Sequence, residues 1–183
     1  MKNINTTLLS IFFMFLTLLG YSQKYIVSQN NSKSNDWVIV WGGKPSTSYG
    51  AEYMVDKASS HLNCNNVIYA DYQVSKQKCD EIIKKVSPNG VVTEVYGFSR
   101  GGYNAFMEIG KVKYVWLIDP LIPQKYDTPF GITNVFMVYN PSVWDGGNNS
   151  RLKNFSTKLK TVNSVRVDMS HLKIPNYFFN TYR

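Results

Sequence analysis

Residues 91–102 read VVTEVYGFSRGG. Val91, Val92 and Val95, with Tyr96, form a β-branched apolar run that stops at Gly97, and Tyr103, Ala105, Phe106, Met107 and Ile109 then recur at helical spacing. The stretch predicts a strand, a tight turn and a helix, with Ser99 at the apex of the turn. Gly97 and Gly101 stand two residues before and two after the serine, and a turn crowded between a strand and a helix has little room for a Cβ there. Such a Gly-x-Ser-x-Gly junction reads as a nucleophile elbow. It lifts the hydroxyl clear of the sheet, and the free amides at the start of the helix lie where an oxyanion would develop. Five residues alone are a weak signal, and the strand and helix that flank them are the context the motif demands.

Strand and helix alternate outward from this junction. Upstream, Trp37–Trp41 (WVIVW) is wholly apolar and is closed by Gly42-Gly43, with Lys44-Pro45 and a Ser/Thr-rich loop after it. Ala51, Met54, Val55, Ala58 and Leu62 follow at helical spacing, then a strand at 66–70, and a helix at 79–86 with Cys79, Ile82, Ile83 and Val86 on one face. Downstream, KYVWLI at 113–118 ends at Asp119-Pro120, and NVFMVY at 134–139 runs into Asn140-Pro141. A helix carrying Leu152, Phe155 and Leu159 comes next, then a strand at 164–168 and Met169-Ser170-His171. Continuous apolar strands belong to parallel sheets covered on both faces. The expected architecture is a three-layer α/β sandwich with a mostly parallel central sheet and right-handed crossovers. Residues 23–35 are polar, with room for a short strand at Tyr25–Val27, and are expected to be loosely held.

At 183 residues, 44% apolar and 17% charged, the chain fits one domain with one core. Residues 1–22 read differently: Lys2, then an almost unbroken apolar stretch from Leu8 to Leu19, then Gly20-Tyr21-Ser22. These are the three parts of a secretory signal cleaved after Ser22, giving a mature domain of residues 23–183 that is secreted or periplasmic. The alternative is an uncleaved segment that anchors the protein to a membrane. An apolar core of about a dozen residues is short against the roughly 20 a spanning helix needs, so the reading favours removal, with no stable membrane insertion afterwards. Lys2 is the only charged residue of the leader, so a formal +8 becomes +7 in the mature part. The lysines are spread over many segments and no basic run is interleaved with aromatics, which argues against a nucleic-acid partner. Cys64 and Cys79 allow one bridge or two free thiols. No Cys/His cluster has metal-ligand spacing, and no cofactor is expected.

From about Asp36 to the C-terminus the chain resembles the α/β-hydrolase superfamily, in the form of a small, lidless, serine esterase- or lipase-like member. The resemblance rests on the elbow at Ser99 and on an order of serine, acid and histidine, each just past a strand. It implies Ser99 as nucleophile, Asp145 as acid and His171 as base. Serine needs a histidine to take its proton, and the histidine needs a carboxylate to fix its tautomer and stabilise the imidazolium. The only other histidine, His61, falls at the end of the first helix and reads as surface. Asp145 stands after the penultimate strand, where the family usually puts its acid. Asp119 stands after the preceding strand, which some members use instead, and its plain reading is a strand-end turn before Pro120. Asp168 reads as a solvent-facing strand residue. The reading takes Asp145.

The resemblance further implies an oxyanion hole built from the backbone N–H of Arg100 and one from Gly42, Gly43 or Lys44. Related lipases and esterases carry a histidine before those glycines, where this chain has Trp41. Trp41 and Trp144 are the expected substrate-binding residues, with Tyr126 and Phe130 as further candidates for a pocket wall. The Arg100 side chain is open to two readings, a salt bridge to a nearby carboxylate or recognition of an anionic substrate group. The connection at 121–132 has ordinary loop length, too short for a folded lid domain. The activity this implies is cleavage of an ester, or a thioester or amide, of a small-molecule or lipid-like acyl group, through an acyl-enzyme on Ser99. The alternatives are an acyltransferase with the same residues, and a catalytically inactive hydrolase fold that serves as a binding or surface module.

Overall fold

In the computed structural model the described residues are 24–44, 50–124, 133–142, 150–152, 154–155 and 162–183. The leader at 1–22 lies outside them. Strands whose side chains are apolar on both sides must be covered on both faces, and the chain does this with helices in the connections between Asp36–Trp41 and Tyr114–Ile118 and with one after the last strand. The elements are β1 (Tyr25–Gln29), β2 (Asp36–Trp41), α1 (Ala51–Ala58), β3 (Asn66–Ala70), α2 (Lys76–Val86), β4 (Val91–Phe98), α3 (Gly101–Phe106), β5 (Tyr114–Ile118), β6 (Asn134–Tyr139), β7 (Val162–Arg166), a 3-10 turn (His171–Lys173) and α4 (Ile174–Tyr182).

The sheet order is β1-β3-β2-β4-β5-β6-β7. Every neighbouring pair is parallel except β1 with β3. Side chains along each strand alternate between two cores. One holds Trp37, Ile39, Trp41, Val95, Val115, Leu117 and Met137 with Ile82 and Ile83 of α2 and Ala105 and Phe106 of α3. The other holds Val38, Val40, Tyr96, Phe98, Ile118 and Val138 with Met54 of α1 and Phe178 and Phe179 of α4. This is the expected three-layer sandwich. Register sets the floor of the site: Phe98 pairs with Ile118, and Ile118 with Val138, so β4, β5 and β6 end level at the carboxyl edge.

Several elements differ from expectation. The last strand, expected at 164–168, spans Val162–Arg166 and leaves Asp168 past its end. Tyr25–Gln29 pairs over its whole length with β3, because an antiparallel edge strand is held by main-chain bonds and needs no continuous apolar run. α2 begins three residues early, since Ser75 caps it by accepting a hydrogen bond from the Lys78 N–H at 3.1 Å. α4 was not foreseen. Pro175 sits in its first turn, and Ile174, Phe178 and Phe179 bury one face; each such side chain contributes about 1.5–3 kcal/mol on leaving water. Cys64 is exposed, Cys79 is buried, and both are free thiols.

Candidate active site

The elbow is built from backbone contacts that exclude side chains. A Cβ at Gly97 would lie 2.4 Å from the Gly101 carbonyl oxygen, and one at Gly101 would lie 2.5 Å from the carbonyl oxygens of both Trp41 and Gly42. Strand, helix and the loop after β2 therefore meet backbone to backbone. Between them Ser99 takes φ 55°, a left-handed conformation that costs a non-glycine residue on the order of 1–3 kcal/mol and persists only where its surroundings fix it. They do so here: the Ser99 N–H donates to the Ile118 carbonyl at 3.2 Å, and the Ser99 carbonyl accepts from Gly102 at 3.0 Å and from Leu121 at 2.8 Å.

The next strand end repeats the device. Asp119 has φ 41°, its N–H donates to the Val138 carbonyl at 2.7 Å, and its side chain is fully buried. Both carboxylate oxygens are engaged. Oδ1 accepts from the Asn140 N–H at 2.9 Å, and Oδ2 faces His171 Nδ1 at 2.5 Å. A carboxylate against a ring N–H is a charge-assisted contact, and it assigns the Nδ1 proton and leaves Nε2 as the basic nitrogen. The His171 ring stacks on Phe98, the residue before the serine, with ring centroids 4.5 Å apart. From behind, Tyr53 of α1 donates to the Leu172 carbonyl at 2.8 Å, and α4 anchors the turn in the core.

Asn140 joins the two loops. Its Nδ2 donates to the Met169 carbonyl at 2.7 Å, and its Oδ1 accepts from the Ser142 N–H at 2.9 Å and the Ser142 hydroxyl at 2.6 Å. The segment before the histidine and the backbone beside the acid are thus fixed to one side chain. Sequence reading missed this residue; its signal was a polar side chain just past a buried strand and just before Pro141.

The other expected site residues fall as follows. Ser99 and His171 come to the same edge, with Asp119 as the histidine's carboxylate partner. Asp145 and Trp144 lie outside the described residues, as do Tyr126 and Phe130. Asp168 is exposed, and His61 stacks on Phe179 at 5.8 Å near the start of β3, at the opposite end of the sheet. The Gly42 N–H is spent on the Ala70 carbonyl at 2.8 Å, so it is not an oxyanion donor. The N–H groups of Gly43 and Arg100 have no acceptor among the described residues. Trp41 is fully buried with its Nε1 donating to the Val74 carbonyl at 2.8 Å, so it forms core beneath the site rather than a pocket wall.

No family model and no curated protein matches the chain. Solved structures do. An α/β serine hydrolase without a lid from Xanthomonas campestris superposes with a TM-score of 0.62 at 12% identity, over 86% of this chain and 85% of that one. An α/β serine hydrolase homologue from Coxiella burnetii gives 0.59 at 12%, over 84% and 86%. A Bacillus cereus carboxylesterase gives 0.56 at 9%, over 91% and 97%. The chain has the α/β-hydrolase fold. It is a reduced version, with a single antiparallel strand ahead of six parallel ones among the described residues.

Proposed function

We propose that the protein is a secreted serine hydrolase that cleaves a carboxylic ester through an acyl-enzyme on Ser99, with His171 as base and Asp119 as the carboxylate that orients it. The observation that carries this reading is the pairing of His171 Nδ1 with the buried Asp119 carboxylate, one ring stack from a serine held in a left-handed elbow. In the proposed cycle His171 Nε2 takes the hydroxyl proton as Ser99 Oγ attacks the ester carbon. The imidazolium forms beside Asp119, and the N–H groups of Arg100 and Gly43 receive the oxyanion. His171 then returns the proton to the departing alkoxide. Water enters by the same route, its proton passing to His171, and frees the acid and Ser99. The substrate class is a small-molecule or lipid-like acyl ester, with thioester, amide or transfer to another acceptor as variants of the same acyl-enzyme.

Labelling with a fluorophosphonate tests the reading, since only an activated serine reacts. Wild-type protein should label at Ser99 and hydrolyse a short-chain 4-nitrophenyl ester; Ser99→Ala and His171→Ala should lose both, and His61→Ala neither. An unlabelled, well-folded wild type would leave the fold as a binding module. Export is tested separately by intact mass. Protein recovered outside the cell should begin at Gln23, and retained Met1 with membrane partitioning would favour the anchor.

A further inference from the structure

A cavity of about 190 Å³ adjoins the elbow, lined by Tyr72, Arg100, Tyr103, Asn104 and Leu121. Tyr72 follows β3, Arg100 follows β4 and Leu121 follows β5, so the cavity opens at the carboxyl edge that carries Ser99. It is tied to the serine on two sides: Arg100 is the next residue, and the Leu121 N–H donates to the Ser99 carbonyl at 2.8 Å. We infer that this cavity is a subsite for a carboxylate carried by the substrate, so that the preferred ester has a free acid group at one end. The inference rests on the hydrolase reading of Ser99 and narrows it to a substrate class.

Arg100 carries the argument. Its guanidinium lies over the Tyr72 ring at 5.5 Å, and Nη1 makes a long 3.4 Å contact to the Tyr72 hydroxyl. Tyr72 is in turn held against α3 by Asn104 Nδ2, which donates to the Tyr72 carbonyl at 2.6 Å. Arg100 has no carboxylate within ion-pair distance among the described residues, as is also true of Lys33, Lys84, Lys85, Lys113, Arg166 and Lys173, but of these cations it alone lines the cavity beside Ser99. A cation at the start of a helix gains nothing from the helix dipole either. Arg100 is thus a planar donor fork beside the nucleophile, stacked on an aromatic face and without an anionic partner among the described residues. Stacking reduces the freedom lost when the fork engages a ligand, and a bidentate carboxylate is the geometry it fits. Among the described residues the lining holds one cation, which matches one negative charge and would leave a phosphate dianion half neutralised. The volume suits the end of a substrate rather than all of it, since whole ligand sites run to roughly 300 Å³ and more.

The test separates binding from turnover. In the Ser99→Ala protein, monomethyl adipate should bind on the order of tenfold tighter than dimethyl adipate by ligand-observed NMR, which is the scale of one partly exposed charge-assisted contact. The preference should shrink with added salt, vanish in Ser99→Ala/Arg100→Gln, and survive in part in Ser99→Ala/Arg100→Lys. With Ser99 intact, the ratio of kcat/KM for 4-nitrophenyl hydrogen adipate over 4-nitrophenyl hexanoate should fall in parallel in Arg100→Gln. Should Arg100→Gln not fold, Tyr72→Leu, which removes the stacking face, must lower the same ratio. Equal binding of the two adipates, or a preference untouched by Arg100→Gln, overturns the subsite. Selective binding without any turnover or labelling would overturn the hydrolase reading and keep the subsite.

Discussion

Asp119→Asn isolates a charge at a position where almost nothing else changes. Asn matches Asp in size and, like it, tolerates the left-handed backbone, so φ 41° adds no new strain. Its Oδ1 can still accept the Asn140 N–H, which keeps that buried donor satisfied. What changes is the second position. An amide NH2 would face His171 Nδ1 in place of a carboxylate oxygen, so Nδ1 must accept and the ring proton moves to Nε2. The imidazole could then no longer take the proton of Ser99, nor would a negative charge stabilise an imidazolium. A loss of about 10⁴ in kcat follows, as for a triad acid made neutral, or about 5 kcal/mol on the barrier. Folding stability should stay within about 1 kcal/mol, because the hydrogen bond count is unchanged. Steady-state hydrolysis of 4-nitrophenyl acetate, fluorophosphonate labelling rate and calorimetric melting of the same sample decide it. A folded Asp119→Asn enzyme within tenfold of the wild-type rate would refute the assignment. If Asp145→Asn were then the folded but inactive variant, the carboxylate would belong to the later loop.

Gly101→Ala should destabilise by roughly 1–3 kcal/mol and lower kcat/KM at least tenfold, because its Cβ meets the Trp41 and Gly42 carbonyls at 2.5 Å and must displace the loop that offers Gly43; a silent variant in both assays would show that the contact is not rigid. Burial pushes the Cys79 thiol up to about 12 from its ordinary 9.0. The unfolded chain therefore loses this proton first, and stability falls as pH climbs from 9 towards 12, by about 1.4 kcal/mol at pH 10. Denaturation curves at pH 8 and pH 10 should show that slope, and Cys79→Ala should remove the larger part of it, the rest coming from Tyr69 and Tyr96, whose hydroxyls burial also pushes up; in native protein a thiol reagent should titrate Cys64 alone. Arg183 reaches Glu94 Oε1 at 2.7 Å and lies over the Trp116 ring at 4.8 Å, so Arg183→Ala should cost roughly 1–3 kcal/mol, read as a lower urea midpoint with unchanged slope. No shift in that midpoint would mean the C-terminal clasp is ornamental.

The sheet was legible because its signal is local. Trp37–Trp41, residues 67–70 and residues 135–139 each declare a strand by unbroken apolar content, and the elbow declares its own turn through Gly97 and Gly101. β1 and α4 were harder for opposite reasons. β1 is an edge strand whose pairing is carried by the backbone, so its side chains are free to be polar. α4 is only nine residues long, and its apolar positions pack as a wedge of aromatic rings rather than a long stripe. The acid was the hardest. Asp119 and Asp145 each follow a strand, and nothing in a linear pattern tells how far His171 lies from either. That distance is a property of strand register and of the turn at His171–Lys173, which form only once the sheet has assembled.

Strand register also explains how a chain this small can hold a strained site. Beyond the paired ends Phe98, Ile118 and Val138, the ladder continues for one more bond at each step, from the Ser99 N–H to the Ile118 carbonyl and from the Asp119 N–H to the Val138 carbonyl. On the far side the Val167 N–H reaches the Tyr139 carbonyl at 3.0 Å, which aligns the start of the histidine segment with the same edge. The left-handed residues Ser99 and Asp119 therefore sit one step past the sheet, where each keeps a sheet-like N–H bond while its carbonyl and side chain turn away. The strain of two such residues, on the order of 1–3 kcal/mol each, is spread over bonds that the sheet forms in any case. Asp119 and His171 are separated by 52 residues of sequence, and Asn140 bridges their two segments, binding the acid through its own N–H and the Met169 carbonyl through its side chain. Asn140→Ala should accordingly loosen His171 without touching it. The expected result is a rate loss larger than its stability loss, and a rate that falls only in proportion to the folded fraction would remove Asn140 from the positioning role.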